Sequence, residues 1–314
     1  MVRMKALLHL NLGPASEAIF AKATFPDIVP VGESDWDRFY QELADTEVLL
    51  HSLVPVTKEI ISRAPHLRLI QKIGIGVNTI DLNAAREAGI AVANMPGTNT
   101  QAVAEHALGL MLAVLRKVGD LDRALRTQDW VPSTAAKEGI GEISGSTIGL
   151  IGYGAVGQRL APVLAALGAK VQVWSRSMQG DGHAEAIALD KLLSTSNIIS
   201  LHVPFTPQTD KFIGREAFAA MRPDTILINT ARGELVDEAA LVEALQQKRI
   251  AGAGLDVFHN EPRPALAALR ASPNVILTPH IAWLTPQTLA RSFDVITENC
   301  RRLGAGEPLL HRVV

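Results

Sequence analysis

The chain has 314 residues, of which 47% are hydrophobic and 20% are charged, and its formal net charge is -2. This length suggests two domains, and the composition is that of a folded globular protein rather than a disordered one. The small net charge gives no bulk attraction to nucleic acid or to an anionic membrane surface, so we expect neither as a partner.

The start of the chain and its cysteine content predict a cytoplasmic location. Basic residues at the start precede a short apolar run, but Asn11 and Gly13 end that run well short of a signal-peptide core. Cys300 is the only cysteine, which excludes an internal disulfide and fits a reducing compartment. No apolar stretch of the sequence is long enough to span a bilayer.

Short apolar runs alternate with segments of helical period along almost the whole chain, which is the pattern of parallel α/β sheets. In the first third, four runs are predicted to be strands: MKALLHL, EVLLHS, LRLIQKIG and IAVANMP. The segment TQAVAEHALGLMLAVLRKVGDLDRALRTQDW follows. It is amphipathic and free of proline, so we predict one long helix with an extension that links two domains.

The second part of the chain contains six more predicted strands: STIGLIG, KVQVWS, NIISLHVP, TILINTA, AGAGLDVF and NVILTP. Six strands with helical crossovers match the size of a complete dinucleotide-binding sheet. We therefore predict a first domain over residues 1–97 and a dinucleotide-binding domain over 98–286. A terminal helix within 287–314 is predicted to cross back and complete the first domain. The predicted fold class is α/β, with two doubly wound parallel-sheet domains.

A glycine pattern follows the first strand of the second series. The stretch GLIGYGAVGQRL contains G-x-G-x-x-G at Gly152, Gly154 and Gly157, before a predicted helix. Such glycines permit a tight turn, the approach of a pyrophosphate and close packing of helix on strand. The amides of Ala155 and Val156 would then open the helix and point at the phosphates. This predicts a dinucleotide cofactor, and the alternative is a tight turn alone.

The next strand ends without the carboxylate that usually holds a ribose 2′-hydroxyl of NAD. Its last residues are followed by Ser175, Arg176 and Ser177. A serine there removes the repulsion of a 2′-phosphate, and Arg176 can bind that phosphate with its planar guanidinium. We predict a preference for NADP(H), with NAD(H) also possible. The alternative is a loop arginine that points to solvent and a serine that tolerates either cofactor.

Polar residues follow three later strands. Arg232, Glu261 and His280 come after successive predicted strands, at the carboxyl edge where doubly wound sheets bind ligands. Arg232 can bind a carboxylate, His280 can transfer a proton to or from the substrate oxygen, and Glu261 can hold the imidazole and favour its charged form. The three predict a site for a 2-keto or 2-hydroxy carboxylate. The alternatives are a surface arginine, a turn-capping glutamate and a buried structural histidine.

Other reactive residues fit no such pattern. His106, His202 and His259 have no metal-ligand spacing, so we predict no metal site. No G-x-S-x-G elbow occurs, and Cys300 lies in a helical tail, so we expect no serine or cysteine nucleophile.

The chain resembles the D-isomer-specific 2-hydroxyacid dehydrogenases. The resemblance extends from KIGIGVNTID through NMPGTNTQAVAEHALGLML, the glycine pattern, NTARGELVDEAALVEAL and AGLDVF to TPHIAW, in that order. It implies a Rossmann cofactor domain, a smaller flavodoxin-like substrate domain and a homodimer joined through the cofactor domain. It implies the catalytic residues Arg232, Glu261 and His280, and substrate binding by Ile75, Gly76, Arg232, His280 and Trp283. It also implies cofactor binding by Gly152, Tyr153, Gly154, Ala155, Val156, Gly157, Ser175, Arg176, Ser177, Val203, Pro204, Thr230, Ala231 and Asp256.

The resemblance leaves the substrate open. TPHIAW is similar to motifs of glyoxylate and hydroxypyruvate reductases, so we predict reduction of a small 2-keto acid by NADP(H). A dehydrogenase for a bulkier D-2-hydroxy acid is one alternative. Another is a regulatory module, similar to the transcriptional corepressor of this fold family that senses nicotinamide dinucleotide. Formate is disfavoured because formate dehydrogenases have glutamine where Glu261 stands.

Overall fold

The computed structural model describes residues 4–11, 13–14, 20, 25–127, 130, 139–177, 180–261 and 265–314. The chain divides into two compact units, each with its own parallel sheet. Unit 1 comprises Met1–Asn99 and Trp283–Val314, and unit 2 comprises Thr100–Ala282. Two parallel-sheet α/β units confirm the predicted fold class. That unit 1 binds the substrate stays a prediction.

Unit 1 is built on a five-stranded parallel sheet in the order β2-β1-β3-β4-β5. Buried side chains such as Leu7, Leu49 and Ile70 form its core. Four of its strands match the predicted runs, whereas β2 was missed. Pro30 lies inside β2, and proline is disfavoured in strands except at a sheet edge, where β2 lies. The strands are Lys5–His9 (β1), Asp27–Val31 (β2), Val48–His51 (β3), Leu69–Lys72 (β4) and Ala91–Ala93 (β5).

Unit 2 is built on a seven-stranded parallel sheet in the order β12-β11-β10-β9-β6-β7-β8. The order reverses at β6, as in doubly wound dinucleotide-binding sheets, whose ligands lie at the carboxyl ends of the strands near that reversal. The sequence did not predict β8, which has only two residues. The strands are Thr147–Ile151 (β6), Lys170–Trp174 (β7), Glu185–Ala186 (β8), Ile198–Leu201 (β9), Ile226–Asn229 (β10), Gly252–Leu255 (β11) and Val275–Leu277 (β12).

The α-helices connect the strands, and several begin with a side-chain cap. Asp35, Thr57 and Asp81 each accept a hydrogen bond from the amide three residues further on, which the first helical turn leaves unpaired. None of the helices in the described ranges is long and apolar enough to cross a membrane. The helices are Trp36–Leu43 (α1), Lys58–Ser62 (α2), Leu82–Glu87 (α3), Thr100–Leu115 (α4), Val118–Leu125 (α5), Ala155–Ala166 (α6), Leu189–Thr195 (α7), Arg215–Ala220 (α8), Glu238–Gln246 (α9), Ala267–Arg270 (α10) and Pro286–Ala305 (α11).

The terminal helix α11 belongs to unit 1. It begins after the N-cap Thr285, with Pro286 as its first residue, and ends at Ala305, where the C-cap Gly306 has a left-handed φ of 69°. A buried amide pair fixes it to the sheet, because Asn299 Nδ2 donates to Gln71 Oε1 at 2.6 Å. The return of the chain to the first sheet therefore rests on a specific hydrogen bond as well as on apolar packing.

The segment predicted as one long helix with an extension contains two helices in the described residues. Helix α4 ends at Leu115 and α5 begins at Val118, and between them Lys117 has a left-handed φ of 53°. The predicted extension is thus a separate helix, because a single left-handed residue, which the local pattern does not signal, turns the chain. The end of the predicted segment includes residues 128 and 129, which lie outside the described residues.

Two glycines of β11 bring α4 close to the sheet. A Cβ added to Gly254 would lie 3.0 Å from the Cβ of Leu110, and one added to Gly252 would lie 2.9 Å from Cγ1 of Val114. Leu110 and Val114 are four residues apart on α4, a rise of about 6.0 Å, and Gly254 and Gly252 are two residues apart on β11, about 6.6 Å, so the two spacings nearly match. Because Leu110 faces Gly254 and Val114 faces Gly252, the two elements run antiparallel, with about one helical turn over two strand residues.

Candidate active site

The glycine pattern forms the turn from β6 into α6. Gly152 has a φ of 103°, and a Cβ there would lie 2.5 Å from the carbonyl oxygen of His202. A Cβ on Gly157 would lie 2.7 Å from the carbonyl oxygen of Gly152, whereas Gly154 faces open space. The N-cap of α6 is Gly154, which provides no side-chain hydrogen bond to the first turn. The amides of Ala155 and Val156 in that turn therefore fit a phosphate group.

Ser175, Arg176 and Ser177 lie beside this turn. Strands β6 and β7 are neighbours, and the amide of Gly152 donates to the carbonyl of Trp174 at 2.8 Å. The hydroxyls of Ser175 and Ser177 are 3.1 Å apart and hydrogen-bonded, while the Arg176 side chain is exposed. The loop after β7 thus presents two hydroxyls and a cation next to the candidate phosphate site.

An acid that the sequence did not single out closes this loop. The hydroxyl of Tyr153 donates to Oδ2 of Asp181, and Oδ1 accepts from the amides of His183 at 2.8 Å and Ala184 at 3.1 Å. The Tyr153 hydrogen bond lowers the pKa of Asp181, while burial and the carboxylate raise the pKa of Tyr153. The carboxylate of Asp181 is thus bound by its own loop and by the glycine turn.

Arg232 is held at the end of β10 by the preceding residues. The side chain of Asn229 accepts from the amide of Ala231 at 3.0 Å and donates to the carbonyl of Arg232 at 2.8 Å. Burial lowers the pKa of Arg232, while the charges of Glu261 and Glu234 act in the opposite direction. The guanidinium is therefore a half-buried cation within electrostatic reach of Glu261.

Gly233 brings the Arg232 turn against the segment that follows β11. A Cβ at Gly233 would lie 2.0 Å from the backbone carbon of Phe258 and 2.5 Å from the amide nitrogen of His259. Only glycine fits this contact, because two backbone segments meet there. The contact sets Arg232 close to the loop that leads to Glu261.

Glu261 and His280 form a hydrogen-bonded pair within unit 2. Glu261 Oε2 contacts Nδ1 of His280, and Glu261 Oε1 accepts from the amide of Phe258 at 2.7 Å. Their side chains are only 20% and 16% exposed, respectively. Because Nδ1 is bound to the carboxylate, Glu261 fixes the orientation of the His280 ring. The structure thus brings Arg232, Glu261 and His280 into one cluster.

The other residues predicted for the cofactor site occupy neighbouring strand ends. Thr230 is 8% exposed, and its Oγ1 has no hydrogen-bond partner in the described part of the chain. Ala231 and Val203 are half-buried, and Pro204 is exposed. The carboxylate of Asp256 is 0% exposed and accepts backbone hydrogen bonds within unit 2, so its predicted contact with a nicotinamide stays a prediction.

Ile75, Gly76 and Trp283 belong to unit 1. The loop after β4 is fixed by hydrogen bonds from Asn94 Nδ2 to the carbonyl of Ile75 at 2.9 Å and from the Met95 amide to Gly74 at 2.8 Å. Ile75 is 46% exposed and Trp283 is buried. Their predicted role in substrate binding remains a prediction. Across the described ranges, no group of three or more His, Cys, Asp or Glu side chains could hold a metal ion.

Comparison with known proteins places these features in a family. Residues 108–282 match the family model described as "D-isomer specific 2-hydroxyacid dehydrogenase, NAD binding domain". A glycerate dehydrogenase of Methylorubrum extorquens is 36% identical over 93% of this chain and 94% of its own length. A glyoxylate reductase of Thermococcus litoralis is 37% identical over 80% of this chain and 78% of its own length.

The fold agrees with these matches. The crystal structure of the TT0316 protein from Thermus thermophilus superposes with a TM-score of 0.86 at 33% identity, over 99% of this chain and all of that one. The matched segment contains the glycine turn, Arg232, Glu261 and His280. The chain is an NAD(P)-dependent enzyme of the D-isomer-specific 2-hydroxyacid dehydrogenase family.

Proposed function

We propose that this enzyme reduces a small 2-keto acid, glyoxylate or hydroxypyruvate, with NADPH. The observation that carries the proposal is the hydrogen bond between Glu261 Oε2 and Nδ1 of His280, near the half-buried guanidinium of Arg232. A carboxylate anchor and a positioned proton donor are the two groups that reduction of a 2-keto acid requires from the protein.

Each residue of this cluster has one role. Arg232 binds the substrate carboxylate and polarises the adjacent carbonyl. His280 donates a proton from Nε2 to the carbonyl oxygen as it becomes a hydroxyl, and Glu261 keeps the imidazole oriented through Nδ1. When bound, the nicotinamide supplies the hydride. In the reverse direction His280 accepts the proton from the hydroxyl of a 2-hydroxy acid.

The substrate assignment is supported by two features. The amides of Ile75 and Gly76 and the indole of Trp283 are proposed to bind the carboxylate and to limit the size of the substrate. Related proteins include a glycerate dehydrogenase and a glyoxylate reductase. We therefore propose a two- or three-carbon keto acid rather than an aromatic one.

The preference for NADPH is supported by the loop after β7. Ser175 and Arg176 stand where a carboxylate would repel a 2′-phosphate, and the Arg176 side chain is exposed. An acid of this loop, Asp181, is already bound to Tyr153 and to two backbone amides. These hydrogen bonds make Asp181 a weak substitute for a ribose-binding acid. NADH is expected to serve as a poorer cofactor.

We further propose a homodimer formed through unit 2. Helix α4 packs against both α5 and α6, and these helices and the nearby loop expose large apolar side chains. They are Leu112, Val118, Leu125, Trp130, Val163 and Leu167. A large exposed apolar patch is typical of an interface, whereas single exposed apolar residues are ordinary. Light scattering at micromolar concentration should give twice the mass of the chain, and Leu125→Glu should shift it toward the single chain.

A cytoplasmic location is supported by the single, buried thiol of Cys300, which fits a reducing compartment.

One steady-state experiment tests the activity. The purified protein is assayed with glyoxylate, hydroxypyruvate, pyruvate and phenylpyruvate, each with NADPH and with NADH. The proposal expects the highest kcat/KM for glyoxylate or hydroxypyruvate with NADPH. A clear preference for phenylpyruvate would overturn the substrate assignment, and no turnover with any of the acids would overturn the proposed reaction.

A further inference from the structure

The loop that carries His280 is fixed by a single buried carboxylate. Oδ1 of Asp256 accepts from the hydroxyl of Thr278 at 2.6 Å and from the amide of Ile281 at 2.9 Å. Oδ2 accepts from the amide of Ala282 at 2.8 Å. The backbone carbonyl of Asp256 also accepts from the amide of His280 at 2.7 Å. Asp256 therefore binds the residues on both sides of His280.

This loop needs such a restraint because its backbone is unfavourable. His280 has a left-handed φ of 54°, a region that residues other than glycine seldom occupy. Conformations of this kind persist only when the surrounding structure holds them. The direction of the His280 side chain thus depends on the hydrogen bonds of Asp256.

His106 completes the hydrogen bonds of this carboxylate. Its Nε2 lies 2.9 Å from Thr278 Oγ1 and 3.6 Å from Asp256 Oδ1. A threonine has one hydroxyl proton, and the carboxylate of Asp256 can only accept, so that proton goes to Asp256. Oγ1 of Thr278 must then accept from His106, which fixes the proton of His106 on Nε2.

The packing of α4 on β11 sets this contact. His106 lies four residues before Leu110, which faces Gly254, and Asp256 lies two residues beyond Gly254 on the same face of the strand. The pairing of α4 with β11 thus continues from Leu110 and Gly254 to His106 and Asp256. The position of His106 is therefore a consequence of the same close helix–sheet contact.

We propose that His106 is a positioning residue for the reaction. It donates from Nε2 to Thr278, which in turn orients its hydroxyl toward Asp256, and Asp256 holds the loop that aims the imidazole of His280. His106 itself does not touch the substrate. The proposal rests on the proposed role of His280 as the proton donor.

The test compares His106→Leu, His106→Gln and wild type. Leucine removes the donor, and the glutamine amide nitrogen can replace Nε2. In His106→Leu we expect kcat for the keto acid to fall roughly 100-fold, the loss that a misplacement of about 1 Å can cause, with the Kd of NADPH unchanged. His106→Gln should recover most of the activity, and the control His66→Leu, at an exposed histidine, should match wild type.

Two further measurements keep the test decisive. Thr278→Val removes the hydroxyl while nearly keeping the shape, so it should show the same loss of kcat if His106→Leu does not fold. ¹⁵N spectra of the histidine side chains should give the Nε2–H form for His106, and shifted ring signals of His280 in His106→Leu.

The outcomes separate this inference from the proposed function. If wild type reduces a keto acid and both His106→Leu and Thr278→Val keep its kcat, the positioning role is overturned and the function stands. If wild type reduces no keto acid, the proposed function fails. The His280 ring signals then decide the inference, because identical signals in wild type and His106→Leu would overturn it and shifted signals would support it.

Discussion

Glu261 holds the imidazole of His280 at Nδ1 with a carboxylate that is itself fixed by the amide of Phe258 at 2.7 Å. A glutamate bound at both oxygens cannot rotate without losing a charge-assisted hydrogen bond. The orientation of His280 is thus set from two sides, by Glu261 at the ring and by Asp256 at the backbone. Proton transfer should depend on the ring, and cofactor binding should not.

Replacement of His280 by alanine tests this separation. His280→Ala removes the proposed proton donor, so kcat for keto-acid reduction should fall roughly 100- to 10,000-fold, the range of general acid–base catalysis. The Kd of NADPH, measured by fluorescence titration, should stay near that of wild type because the glycine turn is untouched. An unchanged kcat would show that another group supplies the proton.

Replacement of Arg232 by alanine should affect binding and catalysis together. In the proposed mechanism the guanidinium binds the substrate carboxylate in the ground state and polarises the carbonyl in the transition state, so Arg232→Ala should raise KM for the keto acid and lower kcat. Arg232→Lys keeps the charge but loses the planar pair of donors, and it should recover only part of kcat/KM. Steady-state kinetics with varied keto acid measure both effects. A normal KM in Arg232→Ala would assign the carboxylate to other residues.

Alanine at Gly233 should damage stability and the catalytic cluster at once. The new Cβ would lie 2.0 Å from a backbone atom of Phe258, so a main-chain segment must move. Overpacking of this kind costs about 1–3 kcal/mol, which urea unfolding can measure, and kcat should fall because Glu261 moves with Phe258. As a control, Gly109→Ala in α4 meets no neighbour within 4 Å and should stabilise the protein by about 0.5–1 kcal/mol. Equal stability of Gly233→Ala and wild type would contradict the packing.

The sequence predicted the parts of the site that depend on short patterns. Gly152, Arg232 and His280 each follow an apolar run, and parallel strands bring such ends to one edge of a sheet whatever the loops do. The fold class could be predicted for the same reason, since alternating periods of two kinds determine it.

The missed features depend on contacts between distant residues. His106 was set aside because it has no ligand partner one helical turn away, yet its partner is Thr278, 172 residues later. That contact depends on how α4 lies against β11. The two glycines of β11 set this position, but only once the order of the strands in the sheet is known. Asp181 was missed likewise, because its bond to Tyr153 spans 28 residues and a loop.

His202 should make the stability of the protein depend on pH. Burial lowers its pKa to about 4, against an ordinary value of 6.5. Between these values the unfolded chain binds a proton that the folded chain does not, so stability is complete above pH 6.5 and decreases toward pH 4. From pH 7 to pH 5 the free energy of unfolding should fall by about 2 kcal/mol through this group.

Urea unfolding at the two pH values checks this contribution. In His202→Asn the difference between pH 7 and pH 5 should be smaller than in wild type by about that amount. His66→Asn, at an exposed histidine, should leave the difference unchanged. The same pH dependence in wild type and His202→Asn would show that His202 is protonated equally in both states.

The loop after β7 should determine the choice of cofactor. In the proposed cofactor site Ser175 does not repel a 2′-phosphate, and a charge-assisted hydrogen bond from Arg176 would contribute on the order of 1.5–3 kcal/mol, which corresponds to a roughly tenfold to hundredfold preference for NADPH. In Ser175→Asp/Arg176→Ala the new carboxylate accepts from the ribose hydroxyls of NADH and repels the phosphate of NADPH. The ratio of kcat/KM for the two cofactors should therefore reverse.

Two single variants isolate the causes of this preference. Arg249→Ala, which removes another exposed arginine of unit 2, should leave the ratio unchanged. Tyr153→Phe releases Asp181 from the hydroxyl that binds it, so the freed carboxylate should lower kcat/KM for NADPH more than for NADH. A wild-type enzyme that prefers NADH would show that Arg176 does not bind a phosphate. It would also leave Ser175 as a residue that merely tolerates both cofactors.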